Sequence, residues 1–470
     1  MNDKHNLPPG SLLTLTLIFL AGLIDGLDVT IVTVALPTMT NYFDVSVSNG
    51  SWIVFAYVVG LASFLLPLGK MSKNHRTKKF MIAGTALFGA SSLMCGLSNS
   101  FWMLVGFRLL QGIAAAMMSC VIPTMIVRML PKDRKGLGMS VLGASSGIAL
   151  ILGPALGGLI VGVATWHWIF FINVPICAII IFMALKHLPR DEVPDREKDP
   201  TLIGGLSAMV LIGSCLTILE NLGDPDMQQY GKTVCGVLIL ISLPILIWSI
   251  RRDSRRAIIA PQMLRNREYL LVASSFLLCT IVVAGAQYLL PYLLQDYWGM
   301  SPPESSFYLS LMSVAMVLMV IPVGRMCDRY GCKYPTVAAI SFRSGFCIIM
   351  IIISVIGQNM VLLIMAMIVF GISHAFSGTA QPTRMIHHAT PGYEDEATNL
   401  MLMVNYVASA MGCVLFALIF SLAANSSVTD PLDIDMMAGF TATMWFSLAI
   451  MAVALICTLA VRNKIVKAND

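Results

Sequence analysis

Residues 11–37 read SLLTLTLIFLAGLIDGLDVTIVTVALP. Only two charged residues, Asp25 and Asp28, interrupt this apolar run, which exceeds the roughly 20 residues that a helix needs to cross a bilayer. Thirteen further apolar stretches follow, near residues 49–69, 80–97, 101–127, 137–163, 168–185, 201–221, 233–250, 269–295, 305–323, 336–356, 360–382, 398–424 and 436–461. The sequence therefore predicts an all-α integral membrane protein with fourteen transmembrane helices.

The composition excludes a soluble domain of this length, because 57% of the residues are hydrophobic, only 12% are charged and the mean hydropathy is +0.81. Of the 30 Lys and Arg residues, 27 lie in alternate gaps, on the side of the N-terminal tail; the exceptions are Lys232 on the opposite side and Arg108 and Arg343 inside apolar runs. Because Lys and Arg mark cytoplasmic loops, we expect a multi-pass protein of the cell membrane with both termini in the cytoplasm.

Glycine and proline positions repeat between the two halves of the chain. Gly112 precedes Pro123 by eleven residues, and Gly371 precedes Pro382 by the same spacing, 259 residues further on. The glycines that open the basic loops after the second and tenth stretches are 255 residues apart. The first six stretches therefore correspond to the last six.

This repeat predicts three parts of the chain. Residues 1–186 form an N-terminal six-helix bundle, and residues 269–470 form a C-terminal six-helix bundle. Residues 187–268 form a linker with two additional transmembrane helices, because their charged segments are too short to bury a core. Two like-oriented bundles around a central cleft are typical of secondary transporters, in which the substrate binds near the middle of the membrane.

Five segments carry a family resemblance. They are LDVTIVTVALP (27–37), FRLLQGIAAAM (107–117), GPALGG (153–158), WHWIFFINVP (166–175) and GRMCDRYGCK (324–333). In this order they resemble signatures of the major facilitator superfamily, and the first and fourth, with fourteen helices, resemble its drug:H⁺ antiporter branch, the DHA2 family. The resemblance implies a proton-coupled antiporter, and no enzyme, that exports amphipathic small molecules or drugs by alternating access.

The acids of the first stretch are candidates for proton coupling. Asp25 and Asp28 are three residues apart, so they share a helix face about 4.5 Å apart along the axis. A carboxylate inside a membrane is costly to keep charged, which suits it to binding and releasing a proton. The resemblance assigns coupling to Asp28 and links Arg108, Gln111 and Gly112 to a proton-transfer motif. The alternative is a static acceptor or a fixed ion pair with Arg108.

The fifth stretch is crowded with small residues. Gly153, Gly157 and Gly158 allow close helix packing, and Pro154 removes a backbone donor and is expected to kink the helix. Such a helix is suited to sealing one side of the protein during alternating access. The resemblance identifies this run as an antiporter motif, which favours export; the alternative is close packing with no directional meaning.

The loop after the tenth stretch contains Asp328 and Arg329, which are expected to form a cytoplasmic latch that breaks in one conformation. The equivalent loop of the N-terminal half has Lys73 where the family has an acid and Asn74 where it has an arginine. A latch there must use other acids, or the loop simply binds lipid phosphates.

Few other ionisable residues lie within the membrane part. Asp25, Glu220, Arg343, His374 and Asn405 are the candidates for binding the substrate. The C-terminal half lacks the buried carboxylates expected of a carrier for dicationic drugs, whereas Arg343 offers a positive group. An alternative function is therefore proton-coupled transport of an anionic metabolite or lipid, inward or outward. Snorkelling of Arg343, or its pairing with backbone carbonyls, is an equally open alternative, and His374 is expected to be a hydrogen-bonded packing residue rather than a proton carrier.

Other partners are not indicated. The net charge of +5 is explained by loops beside anionic lipids, so no nucleic-acid partner is expected. The eleven cysteines show neither paired extracellular spacing nor metal-ligand spacing, so we expect free thiols, no metal and no cofactor. A membrane-embedded enzyme or receptor is disfavoured by the lack of a clustered His/Asp pattern or a GxxxxGK loop. We expect a monomer that binds protons, lipids and a small amphipathic substrate.

Overall fold

The computed structural model describes residues 11–72, 76–130, 135–191, 202–220, 229–252, 261–390, 394–424 and 436–463. Within these residues a helix lies at each of the fourteen predicted stretches. The helices of the N-terminal half and linker are α1 (Ser11–Phe43), α2 (Val47–Ser72), α3 (Thr77–Gly96), α4 (Phe101–Ser119), α5 (Ile122–Met129), α6 (Lys135–Val163), α7 (Trp168–Phe171), α8 (Asn173–His187), α9 (Leu202–Glu220) and α10 (Gln229–Arg252).

The helices of the remaining chain follow the same pattern. They are α11 (Pro261–Arg265), α12 (Arg267–Tyr292), which continues into a π-helical turn (Leu293–Tyr297), α13 (Pro302–Tyr330), α14 (Lys333–Ile356), α15 (Met360–His387), α16 (Glu394–Ala423) and α17 (Met436–Ala460). The stretch near 101–127 is divided between α4 and α5 at Cys120 and Val121, and α6 continues through Pro154.

Length and composition identify an all-helical membrane protein. In the described part of the chain, 10 helices are long and apolar enough to cross a membrane, and four further apolar segments are shorter, at 10–17 residues. Large apolar side chains such as Leu240, Leu318 and Val355 are exposed. Exposed apolar surface on this scale is suited to lipid rather than to water.

The sequence repeat is visible in the packing. A Cβ at Gly112 in α4 would overlap the Tyr57 carbonyl oxygen of α2, and a Cβ at Gly371 in α15 would overlap the Met312 carbonyl oxygen of α13. The pair α2 and α4 therefore corresponds to the pair α13 and α15. Likewise α1 packs on α6 as α12 packs on α16, and α3 packs on α4 as α14 packs on α15.

The two halves of the repeat meet along two helix pairs, α6 with α13 and α2 with α16. They also touch at the end of the molecule where α1 gives way to α2. There the Gln295 Nε2 donates to the Val34 carbonyl oxygen at 3.1 Å, and the Tyr288 hydroxyl donates to the Val47 carbonyl oxygen. Helix α9 lies against α2 and α16, and α10 lies against α9.

Candidate functional site: two carboxylates and a polar cavity

Asp28 of α1 is completely buried and accepts three hydrogen bonds. Its Oδ2 accepts from Arg108 Nη1 at 2.6 Å, which makes a buried ion pair. Its Oδ1 accepts from Gln111 Nε2 at 2.8 Å and from Asn173 Nδ2 at 3.0 Å. Helices α1, α4 and α8 therefore converge on one carboxylate, and every group around it is a donor.

Arg108 is held from several sides. Its Nε donates to the Ile53 carbonyl oxygen at 3.0 Å, and its Nη1 also donates to Gln111 Oε1 at 2.8 Å. The guanidinium carbon lies 4.4 Å from the centroid of the Tyr57 ring, a distance suited to a cation–π contact. A cation buried inside a membrane needs such partners, because a guanidinium cannot shed its charge.

Asp25 lies one helical turn away in a different environment. Its Oδ1 accepts from the Tyr57 hydroxyl at 2.8 Å, and its Oδ2 accepts from the Ser119 hydroxyl at 3.1 Å. The Tyr406 hydroxyl of α16 approaches Asp25 and Ser119. No cation pairs with Asp25 among the described residues, so this carboxylate is solvated by hydroxyls alone, one of them from the opposite half of the repeat.

A polar cavity of about 190 Å³ lies in the C-terminal half, between α12, α15 and α16. His374 and Asn405 both line it, and the Nδ1 atom of His374 is buried without a hydrogen-bond partner. The remaining lining residues are Phe276, Thr280, Val283, Ala284, Gln287, Ser377, Gly378 and Ser409. Two of the predicted substrate-binding candidates are thus brought together at one cavity.

Arg343 of α14 lies directly behind this cavity. Its Nε donates to Ser373 Oγ at 2.7 Å, its Nη1 donates to the Cys279 carbonyl oxygen at 3.2 Å, and its Nη2 donates to Ser377 Oγ at 3.3 Å. Its guanidinium carbon is 5.0 Å from the centroid of the Phe370 ring. All these partners are neutral, and no carboxylate in the described ranges pairs with Arg343.

The profile of the Major Facilitator Superfamily matches residues 18–413 of the chain. The chain belongs to the Major Facilitator Superfamily. It is therefore a secondary transporter with a small-molecule substrate, and it is not an enzyme.

Two relatives within the superfamily differ in cargo. The riboflavin transporter RibZ of Clostridioides difficile (strain 630) is 23% identical over 462 residues, which cover 96% of this chain and 98% of the relative. The multidrug export protein EmrB of Escherichia coli (strain K12) is 26% identical over 334 residues, which cover 70% of this chain and 64% of the relative.

Solved structures show the same superfamily fold. A POT family transporter in complex with 5-aminolevulinic acid has a TM-score of 0.70 at 12% identity, over 95% of this chain and 96% of that chain. A bacterial homolog of the human lysosomal transporter Spinster, in an inward-facing and unoccupied conformation, has a TM-score of 0.67 at 12% identity, over 97% of this chain and 96% of that chain.

The glycines of the GPALGG segment face two neighbours. A Cβ at Gly153 would overlap the Thr30 side chain of α1, and one at Gly157 would meet the Ile31 carbonyl oxygen at 3.1 Å. A Cβ at Gly158 would overlap Ser306 of α13 instead. Gly153 and Gly157 therefore pack within the N-terminal half, and Gly158 packs against the C-terminal half.

Of the remaining charged candidates, Arg329 lies away from the site, and the others fall outside the described side chains. Arg329 is exposed, and its guanidinium carbon is 5.2 Å from the centroid of the Tyr330 ring. The side chains of Asp328 and Glu220, like the loop residues Lys73 and Asn74, lie outside what the structure describes. The latch at Asp328 and Arg329 therefore remains a prediction, and the two alternatives for the loop at Lys73 remain open.

Sequence reasoning missed the neutral side chains around the acids. Tyr57, Ser119 and Tyr406 surround Asp25, and Asn173 completes the shell of Asp28. Asn173 lies inside the WHWIFFINVP segment, where an amide within an apolar helix was an available signal. Tyrosine and serine give a weaker signal, because serine is common at the interfaces between membrane helices and tyrosine is common near the membrane surfaces.

Proposed function

We propose that the chain is a proton-coupled antiporter of the DHA2 type, which exports amphipathic small molecules across the cell membrane by alternating access. In this proposal fourteen helices span the membrane, with a six-helix bundle at each end (1–186 and 269–470), a linker with two additional spans (187–268) and both termini in the cytoplasm. The superfamily membership, the distant likeness to a multidrug exporter and the distribution of Lys and Arg support it.

The observation that carries the coupling mechanism is the contrast between the two acids of α1. Protonating Asp28 would leave the buried Arg108 without its counterion, which is strongly unfavourable. Protonating Asp25 would strand no cation, because its described partners are hydroxyls that can also accept a hydrogen bond. We therefore assign the transported proton to Asp25 and the role of fixed counterion to Asp28.

The position of Asp25 links its protonation to movement of the two halves. Tyr406 belongs to the C-terminal half, so an interaction of its hydroxyl with the Asp25 carboxylate links α1 to α16. A hydrogen bond to a carboxylate is about twice as strong as one to a neutral group. Uptake of a proton weakens this link and so favours separation of the halves at the centre of the protein.

In the opposite stage of the transport cycle, the small residues of α6 allow the two halves to close against each other. Gly158 and Gly162 leave room for Ser306 and Pro303 of α13, which brings the two halves into direct contact. Under the proposed orientation this contact lies towards the outside, together with the bond from Gln295 to Val34. The cytoplasmic loops with Asp328, Arg329 and Lys73 are assigned to the gate on the other side.

The test uses purified protein in sealed proteoliposomes with an imposed pH gradient. The internal pH is followed as lipophilic cations and amphipathic anions are added to wild type, Asp25→Asn and the control Asp44→Asn, which changes an exposed acid. Substrate-dependent proton movement is expected in wild type and in the control and is expected to vanish in Asp25→Asn. Proton movement that survives in Asp25→Asn would contradict the assignment, and binding without any accumulation or release would contradict transport.

The alternative hypothesis of an anionic substrate is supported by one of the two arginines that the sequence offered. Arg108 is neutralised by Asp28 and is unavailable to a substrate. Arg343 has only neutral partners in the described structure and lies beside a cavity. A second candidate function is therefore proton-coupled transport of an anion, and it depends on Arg343 alone.

A further inference from the structure

We propose that the cavity between α12, α15 and α16 is a subsite for an anionic group, a carboxylate on a ring-sized end of the transported molecule. This inference rests on the proposed transport function and specifies which part of the substrate the C-terminal half binds.

The first argument is the unbalanced charge. Arg343 is buried, and its guanidinium donates to two serine hydroxyls and one carbonyl oxygen, all of them neutral. A buried cation is usually paired with an anion, because neutral dipoles replace water only in part. No described residue provides that anion, so a bound anion would supply it.

The second argument is the connection between Arg343 and the cavity. Ser377 accepts from Arg343 Nη2 at 3.3 Å and at the same time lines the cavity. The charge is therefore one hydroxyl away from a ligand. With a hydroxyl between them and an effective dielectric constant of about 20, the attraction between the guanidinium and a bound anion still exceeds the thermal energy.

The third argument is the supply of hydrogen-bond donors. The side chains of Gln287, His374 and Asn405 line the cavity and can donate to a ligand. The hydroxyls of Ser377 and Ser409 already donate to the carbonyl oxygens of His374 and Asn405. The Nδ1 atom of His374 is buried and has no partner, although buried polar atoms are nearly always paired. A ligand oxygen in the cavity would satisfy this atom when Nδ1 carries the proton.

The size of the cavity limits what enters it. Its volume of about 190 Å³ is below the roughly 300–1,000 Å³ of pockets that hold an entire drug-sized ligand. Phe276 and Val283 provide an apolar wall beside the polar groups. The cavity therefore suits one end of an amphipathic molecule, a carboxylate with its attached ring, while the rest of that molecule lies outside it.

The experiment measures binding alone, so its outcome does not depend on proton coupling. The protein is reconstituted in lipid nanodiscs, and equilibrium dialysis measures the Kd of three probes that share one ring: 2-naphthoate, 2-naphthamide and 2-naphthylmethylammonium. Empty nanodiscs give the partition into lipid. Wild type is expected to bind the carboxylate at least tenfold more tightly than the ammonium, which corresponds to about 1.4 kcal/mol.

Three variants locate the effect. Arg343→Gln is expected to abolish the preference for the anion, whereas the control Arg384→Gln, which removes a buried arginine that bonds instead to Thr458 and Val461, is expected to keep it. Gly378→Leu fills the cavity, where a Cβ has only His374 at 4.0 Å, without changing any partner of Arg343. It is expected to weaken naphthoate binding at least tenfold, and it serves as the test if Arg343→Gln does not fold.

Two results would overturn the inference: equal affinity of wild type for the anion and the cation, or unchanged naphthoate binding in Gly378→Leu. Either result leaves the assignment of the proton to Asp25 untouched, since that assignment is tested by proton movement. Conversely, an anion preference that depends on Arg343, in a protein that moves no protons, would support the subsite and contradict the proposed coupling.

Discussion

Replacement of Asp28 by Asn tests whether this carboxylate is a fixed counterion. In wild type its Oδ2 accepts from Arg108 at 2.6 Å, and its Oδ1 accepts from Gln111 at 2.8 Å and from Asn173 at 3.0 Å. An asparagine must turn its NH₂ group towards one side or the other, so donors face each other in both orientations. The guanidinium also loses its carboxylate partner.

The expected magnitude follows from these contacts. Removing one member of a buried ion pair costs about 3–5 kcal/mol, and the free energy of unfolding is expected to fall by that amount. Replacing Arg108 by Gln as well removes the stranded charge, so the double variant is expected to recover about 2–3 kcal/mol, a coupling typical of residues in contact. Asp25→Asn is expected to cost less than about 1 kcal/mol, because the hydroxyls around it can donate or accept.

The assay is a double-mutant cycle measured by SDS titration in mixed micelles, with tryptophan fluorescence as the signal. Asp25→Asn is the matched control, since it makes the same chemical change one helical turn away. Wild-type stability in Asp28→Asn, together with loss of proton movement in that variant, would refute the reasoning. The proton would then belong to Asp28, as the family resemblance implies.

Two further predictions concern close packing. Gly112→Ala and Gly371→Ala place a methyl group against the backbone carbonyls of Tyr57 and Met312, so each is expected to lower stability in the same titration by about 1–3 kcal/mol. The control Gly106→Ala has no neighbour within 4 Å and is expected to change stability by less than about 0.5 kcal/mol. Equal losses at all three positions would contradict the repeat of helix contacts. Gly158→Val is expected to separate α6 from α13 and raise the labelling rate of a cysteine introduced at Ser305 by a membrane-impermeant maleimide, above the background of native thiols. Gly147→Ala, with Val317 at an ordinary 3.6 Å, is the control, and equal labelling of the two variants would argue against closure at this contact.

The positions of the helices were predictable because the bilayer requires every backbone group to be satisfied within a helix. Length and apolarity alone therefore place helices such as α12 and α17. The break between α4 and α5 was not predicted, although Pro123 lies in the first turn of α5, where proline is favoured because its missing donor has no role there. The π-helical turn at Leu293–Tyr297 has no comparable sequence signal.

The site was predictable where charge was involved. Arg108 inside an apolar run requires an anion, and the acids of α1 were the nearest in the predicted arrangement. Because Asp25 and Asp28 share one helix face, their spacing did not show which of them would bind Arg108. That choice depends on Gln111 and Asn173, which enclose Asp28, and on Tyr406, which approaches Asp25 from another half of the molecule. Such long-range contacts follow from tertiary packing rather than from spacing.

Under the proposed coupling, the charges on Asp25 and Arg343 together determine whether proton and substrate move in the same or in opposite directions. Loss of the charge on Asp25 leaves the cluster of Asp28 and Arg108 neutral, while Arg343 remains positive. A purely anionic substrate at Arg343 is then bound better when Asp25 is protonated, so proton and substrate move together. Antiport requires competition at Asp25, which a substrate achieves only if its other end carries a cation or a strong donor. An antiporter with the proposed subsite therefore transports a molecule with a carboxylate at one end and a cationic or donor group at the other.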